Sequence, residues 1–307
     1  MSRAFTDSSS VAKAYDNWTN DALLERLWGE HIHLGHYGEP PGHCDFRRAK
    51  SEFVHQLVRW SGLDRLPPGA RILDVGCGIG GSARILAATY GFEVLGISIS
   101  PAQIARAQAL TPPELAEPCH FAVMDALDLE LADASFDAVW SVEACPHMAD
   151  KQRYADELLR VLKPGGLLAV ADWNRRDASA GAMGRRERWV MRQLLDNWSH
   201  PEFASIESLQ ANLQSSPHAA GMTVETGDWS AATLPSWIDS ITEGVRRPGA
   251  VLGLGPRGVG LGLREIPTIL LMHWAFSTGL MRFGVFRGQK VASARVQVPR
   301  ASESQAS

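Results

Sequence analysis

Four cysteines in 307 residues, Cys44, Cys77, Cys119 and Cys145, are too few and too scattered to form a CxxC pair. That excludes a disulfide scaffold or a zinc knuckle as the default, and favours reduced thiols in a cytosol-facing protein. Long apolar runs are also missing. No stretch reaches the roughly 18 uncharged apolar residues of a spanning helix, and the opening "MSRAFTDSSSVAKAYDNW" has no signal-type apolar core. A large excess of charge of one sign is missing as well: a formal net charge of -4 gives no general attraction to polyanions, so nucleic acid is a poor default partner. No internal repeat is visible. With 45% hydrophobic and 21% charged residues, the chain is long enough for one large α/β domain or two small ones.

From Pro67 onward, short β-rich runs alternate with helical ones: "RILDV", "GSARILAATYG", "FEVLGIS", "SPAQIARAQAL", "CHFAVMDA", "FDAVWSVE", "DKQRYADELLRVL" and "GLLAVADW". Such alternation predicts a doubly wound, mostly parallel sheet covered by helices on both faces. "GMTVETGDW" and "RFGVFRGQK" read as later strands. Four stretches follow: a helical N-terminal lid segment (1–65), a Rossmann-like core (66–175), substrate-covering helices with the last strands (176–290) and a disordered tail (291–307).

"LDVGCGIGGSARIL" sets glycines between a strand and a helix, where backbone N–H groups can approach a ligand closely. Gly76, Gly78 and Gly81 satisfy GxGxxG, a weak signal alone. A dinucleotide site expects an acid ending the second strand; here that strand ends in "GISIS" with Ser98. Asp74, and Asp125 in "MDA", instead suit a smaller nucleoside, Asp74 at its amino-acid end and Asp125 at the adenine amino group.

With "LLRVLKPGGLL" added, this set resembles the class I S-adenosylmethionine-dependent methyltransferases, which implies a seven-stranded sheet and S-adenosylmethionine as methyl donor. The positions expected to hold it are Asp74, Gly76, Cys77, Gly78, Gly80, Ser98, Gln103, Asp125 and Ala126. Ser98 stands where that class has an acidic ribose ligand, so Gln103 becomes the candidate partner, or else an ordinary exposed helix residue. Longer stretches, among them "SSVAKAYDNWTNDALLERLWGEHIHLGHYGEPP", "VWSVEACPHM", "VMRQLLDNWSHPEFASIE" and "REIPTILLMHWAFSTGLMRFG", resemble the cyanobacterial and plastid prenylquinol methyltransferases. The resemblance implies C-methylation of a prenylated or phytylated benzoquinol on the route to tocopherol and plastoquinone, with γ-tocopherol as the alternative substrate. It also implies peripheral work at the cytoplasmic face of a thylakoid or plasma membrane. Members often carry an N-terminal apolar anchor that is missing here.

Ring-carbon methylation needs alignment and a base near the phenol. "SVEACPHM" ends the fourth strand beside the glycine loop, where ligands of such folds bind. His147 is the candidate base or hydroxyl partner, its alternative being to cap the next helix. Glu143 either contacts the donor's polar end, orients His147 or merely ends the strand. Cys145 reads as a small filler, since direct methyl transfer needs no thiol nucleophile. Tyr15 resembles the family's lid tyrosine that pairs with such a histidine; core packing is its alternative. His31, His33 and His36 invite a metal, but the reaction needs none and no ligand set accompanies them, so no metal is expected. Residues 249–283 form either an apolar lid with a tunnel for the prenyl chain, a segment dipping into a bilayer surface, or a buried helix. A nicotinamide oxidoreductase and a non-catalytic S-adenosylmethionine-binding protein are the competing classes.

Overall fold

The computed structural model describes residues 8–20, 22–198, 200–253 and 255–291. The expected tail, 291–307, lies outside the described residues except for Val291. Seven strands form one sheet: β1 (Arg71–Val75), β2 (Glu93–Ser98), β3 (Cys119–Val123), β4 (Phe136–Val142), β5 (Leu162–Arg175), β6 (Val224–Asp228) and β7 (Met281–Gln289). Their order is β3-β2-β1-β4-β5-β7-β6, with β1 to β5 parallel and β7 antiparallel to both β5 and β6. The central strands are covered on both faces. β1 is buried at every position after Arg71, and β4 at all but Asp137, which is why both read as nearly continuous apolar runs.

Helices α1 (Ser8–Asn20), α2 (Leu23–Trp28) and α3 (Phe46–Ser61) precede the sheet. In α3 the buried residues fall at Phe46, Ala49, Lys50, Phe53, Val54, Leu57, Val58 and Ser61, a helical stripe that packs on β5 and β7. Asp45 starts it by accepting the N–H groups of Arg47 and Arg48, and Gly62 ends it in a left-handed conformation. The N-terminal helices therefore divide: α3 belongs to the core layer, whereas α1 lies across α5 (Pro101–Leu110) and α2 packs on α1. Asp16 of α1 accepts from Ser100 Oγ and Ala102 N at the start of α5, and Glu25 of α2 bridges Arg106 at 2.6 Å.

The remaining core helices are α4 (Gly81–Tyr90) and α6 (Lys151–Val161), followed by α7 (Arg185–Asn197) and α8 (Ile206–Ser215). Between β6 and β7 the chain inserts α9 (Ser230–Thr233), α10 (Pro235–Arg246), α11 (Pro248–Leu252) and α12 (Gly255–Ser277). α12 packs on α7 and α10, burying Thr268, Ile269, Met272, Ala275 and Phe276. Its uncharged C-terminal half is thus a covering helix, while Leu263 and Leu270 stay exposed. Among the described residues no helix is long and apolar enough to cross a membrane.

Candidate active site

The parallel register sets the carboxyl ends of β1, β2, β4 and β5 along one edge of the sheet. Above them α1, α2, α10 and α12 enclose a cavity of about 690 Å³. At one end it is lined by Asp74, Gly76, Cys77, Gly78, Ser98, Gln103, Asp125 and Ala126, and at the other by apolar side chains such as Ile241, Val251, Ile266 and Ile269. His147, Glu143 and Tyr15 lie on the same wall.

In the glycine loop, Gly76 holds φ +78° and a Cβ there would sit 2.6 Å from Ala144 Cβ, so the loop and the turn after β4 touch only because a side chain is missing. Gly80 is not on the cavity wall. Its left-handed backbone starts α4 and packs on Phe121 and Arg84, and Gly81 lines the cavity instead. The expectation for Gly80 is corrected accordingly: it shapes the turn from behind. Asp74 is 2% exposed, with Oδ2 unpartnered among the described residues, and burial pushes its carboxyl up to about 7. A cationic ligand group would relieve it. Gln103 is buried, not exposed; its Oε1 accepts from Ser98 Oγ at 2.7 Å, which leaves its NH2 group to serve as a donor. Asp125 Oδ1 accepts from Leu127 N at 2.9 Å, leaving Oδ2 for a donor such as an exocyclic amine.

At the end of β4, Glu143 adopts φ +55°, and a short 3-10 turn, Cys145–His147, follows. The Tyr15 hydroxyl meets His147 Nε2 at 2.7 Å, with the rings edge to face at 5.1 Å. Burial first, then Lys151, pulls the His147 imidazole down to about 3, so it is neutral; its Nδ1 is buried without a partner among the described residues. Burial, then Glu143 and Asp172, hold the Tyr15 phenol above its ordinary range, so its proton sits between the two rings. Glu143 does not bond His147. Its Oε1 accepts the Leu34 N–H at 2.7 Å and so ties the 29–45 loop to the turn. Enclosure pushes this carboxyl up to about 8, although part of its surface is open to the cavity. Cys145 is a buried filler whose thiol burial raises well beyond ionisation.

His31 and His33 contact one another, and among the described residues no group of three His, Cys, Asp or Glu could hold a metal ion. His33 Nδ1 lies 2.8 Å from the Leu34 carbonyl and its Nε2 3.1 Å from His31 Nδ1, so each can donate along one direction. His36 turns away to take the Gly38 N–H and rest on Trp229. Four wall residues had no signal of their own in the sequence. Lys50 is 1% exposed, donates to the His31 carbonyl at 2.7 Å, lies over Phe46, and is drawn down to about 7 by burial despite Glu143. Trp173 and Trp237 stand 5.4 Å apart, and His200 stacks on His147.

Residues 73–170 match the model of the family described as "Methyltransferase domain". The chain is 56% identical over 285 residues to the 2-methyl-6-phytyl-1,4-hydroquinone methyltransferase of Synechocystis sp. (strain ATCC 27184 / PCC 6803 / Kazusa), a match spanning 93% of this chain and 89% of that one. The chain belongs to the family of that methyltransferase. The chloroplastic tocopherol O-methyltransferase of Arabidopsis thaliana is 32% identical over 94% of this chain and 85% of its own length. The geranyl diphosphate C-methyltransferase of Streptomyces coelicolor A3(2) superposes with a TM-score of 0.69 at 18% identity, covering 92% of this chain and 97% of that one, a likeness of fold. Like the family, this methyltransferase uses S-adenosylmethionine as its methyl donor. Asp74, Ser98, Gln103 and Asp125 offer the charge and polar groups that an ammonium, a ribose and an adenine require, and the glycine loop offers the space.

Proposed function

We propose that this methyltransferase methylates a ring carbon of a 1,4-benzoquinol carrying a phytyl or solanesyl chain, 2-methyl-6-phytyl-1,4-benzoquinol being the first choice. One observation carries the reading: a single cavity joins the polar donor end to a long apolar end closed by α10 and α12. A water-soluble acceptor would gain nothing from that apolar length, whereas a prenyl chain gains about 0.8 kcal/mol for each CH2 it buries. S-adenosylmethionine supplies an electrophilic methyl group on a sulfonium. The chain's residues do the rest. The Tyr15–His147 contact fastens α1 over the donor end, and burial there excludes water. Trp173, Trp198 and Trp237 offer flat apolar faces to an aromatic ring.

Val245 and Leu263 line the cavity and are also 81% and 62% exposed, which supports a mouth through which the tail enters from a bilayer surface. Peripheral work at the cytoplasmic face of a thylakoid or plasma membrane is part of the proposal. The substrate is tested with labelled S-adenosylmethionine and, separately, 2-methyl-6-phytylbenzoquinol, its solanesyl analogue and γ-tocopherol. Transfer to the benzoquinols is expected; transfer to γ-tocopherol alone would sink the reading.

A further inference from the structure

His147 was the sequence's candidate for the base, but its Nε2 is already engaged by the Tyr15 hydroxyl. A second imidazole lies against it. His200, in the coil after α7, is 3% exposed, lines the cavity, and stacks on His147 with centroids 4.4 Å apart and planes at 30°. Trp173 and Phe203 pack on its other sides at 5.7 and 4.8 Å. Neither of its ring nitrogens makes a full hydrogen bond among the described residues, and the Pro146 carbonyl beside the ring favours a proton on the nitrogen it faces. Native proteins rarely leave such groups orphaned, and those on a cavity wall point to a ligand that completes them. A neutral imidazole offers one donor and one acceptor, the complement of a phenolic hydroxyl. Among the described residues no group of three His, Cys, Asp or Glu side chains could hold a metal ion, so a coordinated cation does not account for the two nitrogens.

We propose that His200 is the base that receives the hydroxyl proton of the quinol as the new carbon–carbon bond forms, while Tyr15 reserves His147 for closing the lid. The proposal rests on the phenolic substrate argued above. As a lone pair on the quinol oxygen flows into the ring, the ring carbon bonds the methyl while the bond from that methyl to the donor's sulfur breaks, its electron pair staying on sulfur as a neutral thioether (S-adenosylhomocysteine) leaves. The hydroxyl becomes a protonated carbonyl, a strong acid. The O–H bond breaks, its electron pair stays on oxygen, and an N–H bond forms on His200. The ring then loses its own proton to solvent, His200 returns its proton to the oxygen, and the net release is one proton per methyl transferred. Burial, then His147 and Lys151, keep the His200 imidazole neutral and so ready to accept. Trp173 and Phe203, which pack on it, are uncharged, and His147 and Lys151 are the groups whose charge would oppose its protonation.

The test uses the full chain and whichever phenol the wild type methylates, so wild-type turnover judges the substrate and the variants judge His200. His200→Gln keeps a polar side chain without a base, and His200→Phe keeps the stack. In both, kcat is expected to fall 10²- to 10⁴-fold, with KM for the phenol and S-adenosylmethionine affinity within about threefold. The residual rate of His200→Gln should climb about tenfold per pH unit toward the phenol's own pKa near 10, because only pre-ionised substrate reacts. Added imidazole should restore part of the rate to His200→Ala. A His200→Gln enzyme retaining more than about a third of wild-type kcat overturns the proposal, as does a loss that is equal at every pH and unmoved by imidazole.

Discussion

Asp74 carries opposite signs in the ligand-free and ligand-bound enzyme, and that opposition can be measured. Burial alone raises its carboxyl from the ordinary 3.8 to about 7. At 1.36 kcal/mol per pH unit the gap is worth roughly 4 kcal/mol. The folded pKa exceeds the unfolded one, so this stability is fully present below pH 3.8 and is lost as the pH rises through 7. Asp74→Asn keeps the shape and removes the charge. Urea unfolding of the ligand-free variant should therefore show it more stable than wild type, by about 1.5 kcal/mol at pH 5 and roughly 2 to 4 kcal/mol at pH 8. Binding reverses the sign. Losing a charge-assisted contact to the donor's ammonium costs about 1.5 to 3 kcal/mol, so titration calorimetry should find the Kd for S-adenosylmethionine weakened roughly 10- to 150-fold. Wild-type affinity should also tighten as pH rises from 5 to 7, with a proton released on binding, whereas the variant's should be flat. An Asn variant that is no more stable at pH 8, or that binds the donor as tightly as wild type, would refute the assignment of this carboxyl.

Two further outcomes follow from the lid and the mouth. Tyr15→Phe leaves His147 Nε2 without its partner, an unmade buried hydrogen bond of about 1 to 3 kcal/mol; donor affinity should fall about 5- to 150-fold while the midpoint of thermal unfolding drops by only a few degrees, and a Kd within twofold of wild type contradicts the lid role. Val245→Asp with Leu263→Asp should abolish flotation with anionic liposomes and raise KM for the prenylquinol presented in them, with activity on a short-chain quinol retained; unchanged flotation counts against the mouth as the membrane-facing surface.

The seven strands and the glycine loop were readable one segment at a time because their causes are local. "RILDV" reads as a buried strand from its own short apolar run, and "VGCGIGG" turns left-handed where L side chains resist. Tyr15 and His147 could be paired beforehand only through a resemblance, since 132 residues separate them. His200 and Lys50 had no signal of their own: a histidine after a helix or a lysine on an apolar stripe reads as solvated surface. Gly80 and Gly81 were interchangeable as letters, and only the packing of Phe121 behind the loop decided which one lines the cavity.

The amino-acid order by itself determined the parallel sheet, the strand ends that bear function and the kind of ligand the loop admits, because backbone conformation and burial periodicity act over a few residues. The tertiary structure alone decided which way burial shifts Asp74, Glu143, Lys50 and His147, and the stacking of His200 on His147. Those depend on how much water the rest of the chain removes from each group, and desolvation is a property of the assembled cavity rather than of any segment.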